Sequence, residues 1–413
     1  MRRFFQFGAI GGPQFVAAAL LGVYLLQCLW LVAVQARHDT GADPEQAVRI
    51  HMGAQQWKNG VVAGTPDAPR LDAATGGASG GHVRVRDGYD SDRSPLYYLI
   101  AGAPFLVRPA SWTIGFPLWP MLAAAPYLFF GVMLGGSLWY VARRLYGNGG
   151  GYIALMLYCF SPAIIVAVAG SQSLGEMGGV WGGFGAIWTG IAVAHTLYAP
   201  REVVLWNWRR ILLMGLSLAL AAGHQFSLAV LALLALLLML WVAPVRRQAV
   251  LVIWGAACAV AAAIGFAANF FHPTLFSQGI MHARWLDFDP RALAAPVAYR
   301  HAAETIFRGS PPMLLLLPVA LGVFAGWKRA RYFGNIAPLG IAVVLLVMGM
   351  AAPSFPGEGF QLAALVFLFV FVAGVFADLL ETRQGPVVTA SLAGLLIASA
   401  AWNVLALARA FRS

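Results

Sequence analysis

Charge is what this 413-residue chain has least of. Asp, Glu, Lys and Arg make up 10% of it, against 60% hydrophobic residues. A water-soluble domain of this length could not cover so much apolar surface with so few charges. Cysteine is scarce as well. Cys28, Cys159 and Cys258 all sit inside apolar runs, which excludes a disulfide framework and a thiolate metal site. No basic domain stands outside those runs, so the net charge of +11 is not a nucleic-acid footprint. Charged residues in the middle of apolar runs and internal repeats, the marks of a transporter, are also missing. What remains is hydrocarbon. Runs long enough to cross about 30 Å recur from end to end, and they are continuous where a β-barrel would alternate. The chain reads as a single all-α polytopic membrane domain, residues 1–413, with a mean hydropathy of +0.74.

The runs predict about eleven transmembrane helices, near 13–35, 118–142, 151–169, 177–198, 211–223, 226–243, 249–270, 311–327, 335–351, 359–380 and 387–409. The segment 211–243 is too long for one span and is split at Gly223-His224-Gln225. With that split, every basic cluster falls on one side: Arg2 and Arg3, Arg143 and Arg144, Arg201 with Arg209 and Arg210, Arg246 and Arg247, Lys328 with Arg329 and Arg331, and Arg383. The positive-inside rule makes that side cytoplasmic, N-terminus included, and makes the first span an uncleaved one. A bacterial inner (plasma) membrane suits this topology. Every acidic residue except Glu202, Asp378 and Glu381, and every histidine except His195, then falls outside or at an outer helix end, most of them in two long loops, 36–117 and 271–310. Chemistry is expected on the extracytoplasmic face.

The first loop opens with Asp39, Asp43 and Glu45. Asp43-Pro44-Glu45-Gln46 has the pattern of a helix start, with Asp as N-cap and Pro in the first turn. Val48, Met52 and Trp57 follow at roughly helical spacing, and Asn59-Gly60 ends the helix. This predicts an amphipathic helix on the membrane surface. Residues 61–88, rich in Gly, Ala, Pro and Asp, cannot build a core and read as a flexible loop or a lid. The loop closes with Asp90-Ser91-Asp92-Arg93-Ser94-Pro95-Leu96-Tyr97-Tyr98. Arg93 just before a helix N-terminus is a good anion site, a fixed charge beside free backbone N–H groups. Its bland alternative is an interfacial anchor.

These residues resemble the GT-C superfamily of integral-membrane glycosyltransferases, in the branch of protein O-mannosyltransferases and aminoarabinose transferases. The likeness lies in a cytoplasmic N-terminus, one span and an outer loop. That loop has an acidic helix start, Asp43-Pro44-Glu45, then a basic residue with Pro, Leu and aromatics, Arg93-Ser94-Pro95-Leu96-Tyr97-Tyr98. Pro44 separates the two acids, and Ser94 stands where the family has a first Pro. The resemblance implies a GT-C-like fold and an inverting transfer of sugar from a polyprenyl-phosphate donor to an acceptor hydroxyl on a glycan, lipid or protein. Carried over, Asp43 would be the base and Arg93 would hold the donor phosphate. Asp39 and Glu45 are the alternatives for the base.

Other polar groups are candidates for the same site. Arg284 and Arg300 are further cations for the phosphate. Asp92, Tyr97, Tyr98, Glu176, His224, His282 and Glu358 are candidates for the substrate cavity. The pairs Asp90/Asp92 and Asp287/Asp289 could hold a divalent cation such as Mg or Mn, or be solvated loop charge. The glycines after Glu176 suit close helix packing. Two other functions fit a polytopic chain: a transporter or flippase of a lipid-linked glycan, and a non-catalytic assembly subunit with the same fold.

Overall fold

The computed structural model describes residues 11–38, 44–60, 85–86, 89–106, 118–170, 175–199, 207–285, 288–352, 359–381 and 385–412. Asp39, Asp43, Asp287 and Glu358 lie outside the described residues, as do the side chain of Glu45 and the segment 61–84. Among the described residues the chain is helical apart from a two-residue antiparallel ladder, Val85–Arg86 with Tyr89–Asp90.

The helices follow the apolar runs. In chain order they are α1 (Gly12–His38), α2 (Pro44–Asn59), α3 (Pro95–Gly102), α4 (Trp119–Cys159), α5 (Pro162–Ala169), α6 (Met177–Thr196), α7 (Trp208–His224) and α8 (Val230–Val242). Then come α9 (Arg247–Ala268), α10 (Pro273–His282), α11 (Pro296–Gly309), α12 (Met313–Gly326), α13 (Phe333–Ala351), α14 (Gly359–Leu380) and α15 (Gly385–Arg412). Seven of them, α1, α4, α6, α9, α13, α14 and α15, are long and apolar enough to cross a membrane. The bent pair α11 and α12 would make an eighth if counted as one span. The remaining runs of the expected eleven fall on the far half of α4 with α5, on α7 and on α8, which are shorter or joined to a neighbour. The expected break between 118–142 and 151–169 is a kink inside α4, where Gly147 takes a φ of 74° that a helix interior excludes.

At the centre stands α14. From Gly359 to Ala377 it is buried on all sides, as an all-round apolar helix must be. It packs on α13 and α4, while α6 packs on α7 and α8. A Cβ at Gly182 of α6 would lie 2.5 Å from the Ser217 carbonyl oxygen of α7, so the glycine run sets how closely those two helices approach. The break between α7 and α8 lies where the sequence placed it. Gln225 is extended, and one turn of 3-10 helix, Phe226–Ala229, follows.

The first loop is docked at one end of this bundle. α2 lies on α3 with no side chain between them. A Cβ on Gly53 would sit 1.9 Å from the Tyr98 carbonyl oxygen, and one on Gly102 would meet the Gly53 backbone at 2.4 Å. The face that α2 buries is Arg49, Ile50, Gly53 and Gln56. That is out of phase with the expected stripe of Val48, Met52 and Trp57. Trp57 is exposed and donates its indole N–H to the Leu99 carbonyl at 2.7 Å. The partner of α2 is a protein helix, so a small and polar face is the one that fits.

Candidate functional site

The segment Asp90–Ser94 is stitched into the break between α7 and α8. The Ser94 amide and hydroxyl both donate to the Gly223 carbonyl, at 3.1 and 3.0 Å, and the Phe226 amide donates to the Asp92 carbonyl at 2.9 Å. Ser94 also caps α3, accepting from the Leu96 amide at 3.2 Å. The Ser-Pro pair thus does two local jobs, capping one helix and holding it to another. Asp90 organises the turn. Its Oδ1 accepts from the amides of Asp92 and Arg93 at 2.9 and 3.3 Å, and its Oδ2 accepts from the Tyr98 hydroxyl at 2.5 Å. Burial pushes the Asp90 carboxyl above the usual carboxylate range, against the pull of Arg93, Tyr98 and the two amides.

Beside this turn opens a cavity of about 330 Å³. Asp90, Arg93 and Tyr98 line one part of it. The rest is walled by α7, α9 and α10, largely with small residues such as Ala219, Ala222, Gly223, Ala261, Ala262 and Gly265, and with Phe276 and Trp285. Adjacent tyrosines on α3 face different ways. Tyr98 is on the cavity wall, whereas Tyr97 points back into the protein.

Behind Arg93 the protein buries a second arginine. Arg49 of α2 is only 4% exposed. It donates to the Tyr97 hydroxyl at 2.7 Å, and Arg93 donates to the same oxygen at 2.7 Å. Both guanidiniums also sit against aromatic rings: Arg93 over Tyr97 at 4.5 Å, and Arg49 against Tyr97 at 5.6 Å and Tyr127 at 5.2 Å. Two cations within about 6 Å repel by about 3 kcal/mol at an effective dielectric constant of 20. Cation–π contacts, at about 2 kcal/mol each when desolvated, are of the size needed to offset that. The carboxylates of Asp90 and Glu176 add their attraction for Arg93.

Most of the sequence candidates can be placed against this cluster. Asp92 is buried, and Arg284 approaches it, Nε to Oδ1, at 3.8 Å, while the Arg284 amide donates to the Ser91 carbonyl at 2.6 Å. Glu176 precedes α6 and acts electrostatically on Arg93 and Tyr127. His224 is buried edge-on against Tyr97 and Phe130. Its Nδ1 lies 2.9 Å from the Leu220 carbonyl, so that nitrogen carries the proton. It stands next to the cluster and is not part of the cavity wall. Arg300 is turned away: it is 79% exposed on α11 and pairs with Glu304 at 3.2 Å. His282 is exposed, with Nδ1 bound to the Gln278 carbonyl. Asp289 caps a 3-10 turn through the Arg291 amide. Among the described residues no three His, Cys, Asp or Glu side chains gather as metal ligands. Both oxygens of Asp90 accept hydrogen bonds, from the two amides and from the Tyr98 hydroxyl.

Arg49 and Tyr127 were not singled out from the sequence. The one available signal was an arginine four and seven residues before the small Gly53 and the polar Gln56 of a short helix, and that pattern says nothing about burial.

No protein-family model and no curated protein matches the sequence. Solved structures do. The chain is similar to ArnT from Cupriavidus metallidurans in the apo state, with a TM-score of 0.60 and 14% identity, over 94% of this chain and 63% of that one. It is also similar to the archaeal oligosaccharyltransferase AglB from Archaeoglobus fulgidus, solved with an inhibitory peptide and a dolichol-phosphate, with a TM-score of 0.54 and 14% identity, over 96% of this chain and 56% of that one. The chain thus spans under two thirds of the length of either protein. The chain has the fold of these two solved proteins, which is the GT-C-like polytopic fold that the sequence resemblance implied.

Proposed function

We propose that the protein is an inverting glycosyltransferase that takes a sugar from a polyprenyl-phosphate donor on the extracytoplasmic face of the membrane. The observation that carries this is the cavity. It is lined largely by alanines, glycines and aromatic rings, and its polar part gathers the Arg93 guanidinium, beside the N-terminus of α3, with Asp90, Ser94, Tyr98 and Asn269. An apolar tail with an anionic head is the ligand that such a surface complements. The prenyl chain would run between α7, α9 and α10, and the phosphate would meet Arg93, with Arg284 next in reach.

The chemistry follows. An acceptor hydroxyl, on a glycan, lipid or protein, attacks the anomeric carbon while a carboxylate takes its proton. The bond from that carbon to the phosphate oxygen breaks, and the electron pair leaves with the prenyl phosphate. Arg93 stabilises the charge that grows there. Asp43 is the proposed base, with Asp39 and Glu45 as alternatives. No step is assigned to a divalent cation.

The test separates binding from transfer. Radiolabelled polyprenyl phosphate is bound to the protein in nanodiscs, and transfer is followed from a polyprenyl-phosphate hexose. Arg93→Ala is expected to weaken binding at least tenfold. Asp43→Asn is expected to bind within twofold of the native protein and to transfer nothing. Unchanged binding in Arg93→Ala would overturn the phosphate assignment, and unchanged transfer in Asp43→Asn would remove Asp43 as the base.

A further inference from the structure

Arg49 is a cation almost fully enclosed by protein, yet it is not on the wall of the cavity. Its hydrogen-bond partner, the Tyr97 hydroxyl, is also the partner of the cavity-lining Arg93. A phenol oxygen that accepts from two guanidiniums fixes both of them. The ring holds them a second time, since it lies against Arg93 at 4.5 Å and Arg49 at 5.6 Å. Tyr97 itself is clamped. His224 meets its ring edge-on at 5.8 Å, and Tyr98 does so at 5.1 Å. A free arginine loses rotamer entropy on binding an anion; here Arg93 is already held by the Tyr97 hydroxyl and ring before any ligand arrives.

We propose that Arg49 and Tyr97 are positioning residues for the donor phosphate: through the Tyr97 hydroxyl they hold the Arg93 guanidinium toward the cavity. This rests on the donor-phosphate role of Arg93. It has a second consequence. Arg49 belongs to α2, which begins at Pro44, directly after Asp43 in the sequence, and has Glu45 as its second residue. The relay therefore ties the helix beside the proposed base to the group that holds the leaving phosphate. Movement of α2 relative to α3 would disturb both at once, because a misplaced guanidinium no longer meets the charge as it forms.

A double-mutant cycle on polyprenyl phosphate binding tests this, with the full chain in nanodiscs. Arg49→Gln is expected to weaken binding about tenfold, and Tyr97→Phe, which keeps the ring and removes only the oxygen, about fivefold. Arg49→Lys should recover part of the loss. In an Arg93→Ala background the same changes should have less than a twofold effect, because the residue they act through is gone. Losses of equal size in both backgrounds would overturn the proposal and leave Arg49 a purely structural cation. So would full binding by a folded Tyr97→Phe protein. If Arg93→Ala alone leaves binding intact, the donor-phosphate reading falls, and the relay falls with it. An effect of Arg93→Ala without one of Tyr97→Phe or Arg49→Gln removes the relay alone.

Discussion

Asp90 shows how one side chain can be structural and still shape the chemistry of its neighbour. It satisfies the amides of Asp92 and Arg93 and the hydroxyl of Tyr98, while lying on the cavity wall next to Arg93. Its carboxyl is held above the ordinary range, chiefly by burial. For a raised carboxyl the linked stability is present at low pH and fades as the pH climbs through the raised value. Acidification through the carboxylate range should therefore not loosen this turn. The same reasoning makes a neutral isostere tolerable. Asp90→Asn should unfold within about 1 kcal/mol of the native protein, whereas Asp90→Ala orphans the donors and should cost about 1–3 kcal/mol. Thermal unfolding in detergent checks both. Asp90→Asn also removes a negative charge beside Arg93, so polyprenyl phosphate should bind it more tightly. Weaker binding would mean that the carboxylate, and not only its geometry, supports the anion site.

At the scale of elements, the docking of α2 on α3 decides whether the site exists. Backbone meets backbone at Gly53 and Gly102, leaving no room for a methyl group. Gly53→Ala would press on the Tyr98 carbonyl and push α2 away, at a cost of about 1–3 kcal/mol for overpacking. It should lower the unfolding temperature and also weaken polyprenyl phosphate binding, because Arg49 moves with α2. Lys58→Ala, on the exposed last turn of the same helix, is the control that should change neither. Loss of stability with unchanged binding would separate the helix contact from the site. This is also where the sequence was hardest to read. Val48, Met52 and Trp57 form the apolar stripe that a lipid-facing helix would bury, and they suggested a helix on the membrane surface. What α2 meets instead is Tyr97, on α3, 48 residues further along the chain from Arg49. Burial of an arginine depends on a partner that local periodicity cannot disclose. The helix start at Pro95, with Arg93 just before it, was legible, because a proline in the first turn is a local signal. Glu45 and Asp43 were legible as a helix start for the same reason, and α2 does begin at Pro44.

Basic clusters and acidic loops alternate along the sequence, and that alternation bears on which face of the membrane the cavity would open to. The helices are legible from hydropathy because each apolar run needs internal hydrogen bonding in hydrocarbon, and only a helix supplies it within a single run. Their number as crossings is less legible, since α7, α8 and α12 have 17, 13 and 14 residues and lean on neighbours for depth. Orientation comes from charge. By the positive-inside rule Arg143 and Arg144, Arg246 and Arg247, and Lys328 with Arg329 and Arg331 should all face the cytoplasm, and the cavity mouth and α10 would then be expected outside. Two exposed positions report on the two ends: Ser277 on α10 and Val245, 83% exposed, in the turn between α8 and α9. Cys28 and Cys159 are buried, so replacing Cys258 by Ala gives a quiet background. In intact cells a membrane-impermeant maleimide should label Ser277→Cys, and should label Val245→Cys only after permeabilisation. The opposite pattern would place the cavity on the cytoplasmic side. The donor would then have to be used on the face where nucleotide-sugars are available, and the advantage of a lipid-linked donor would disappear.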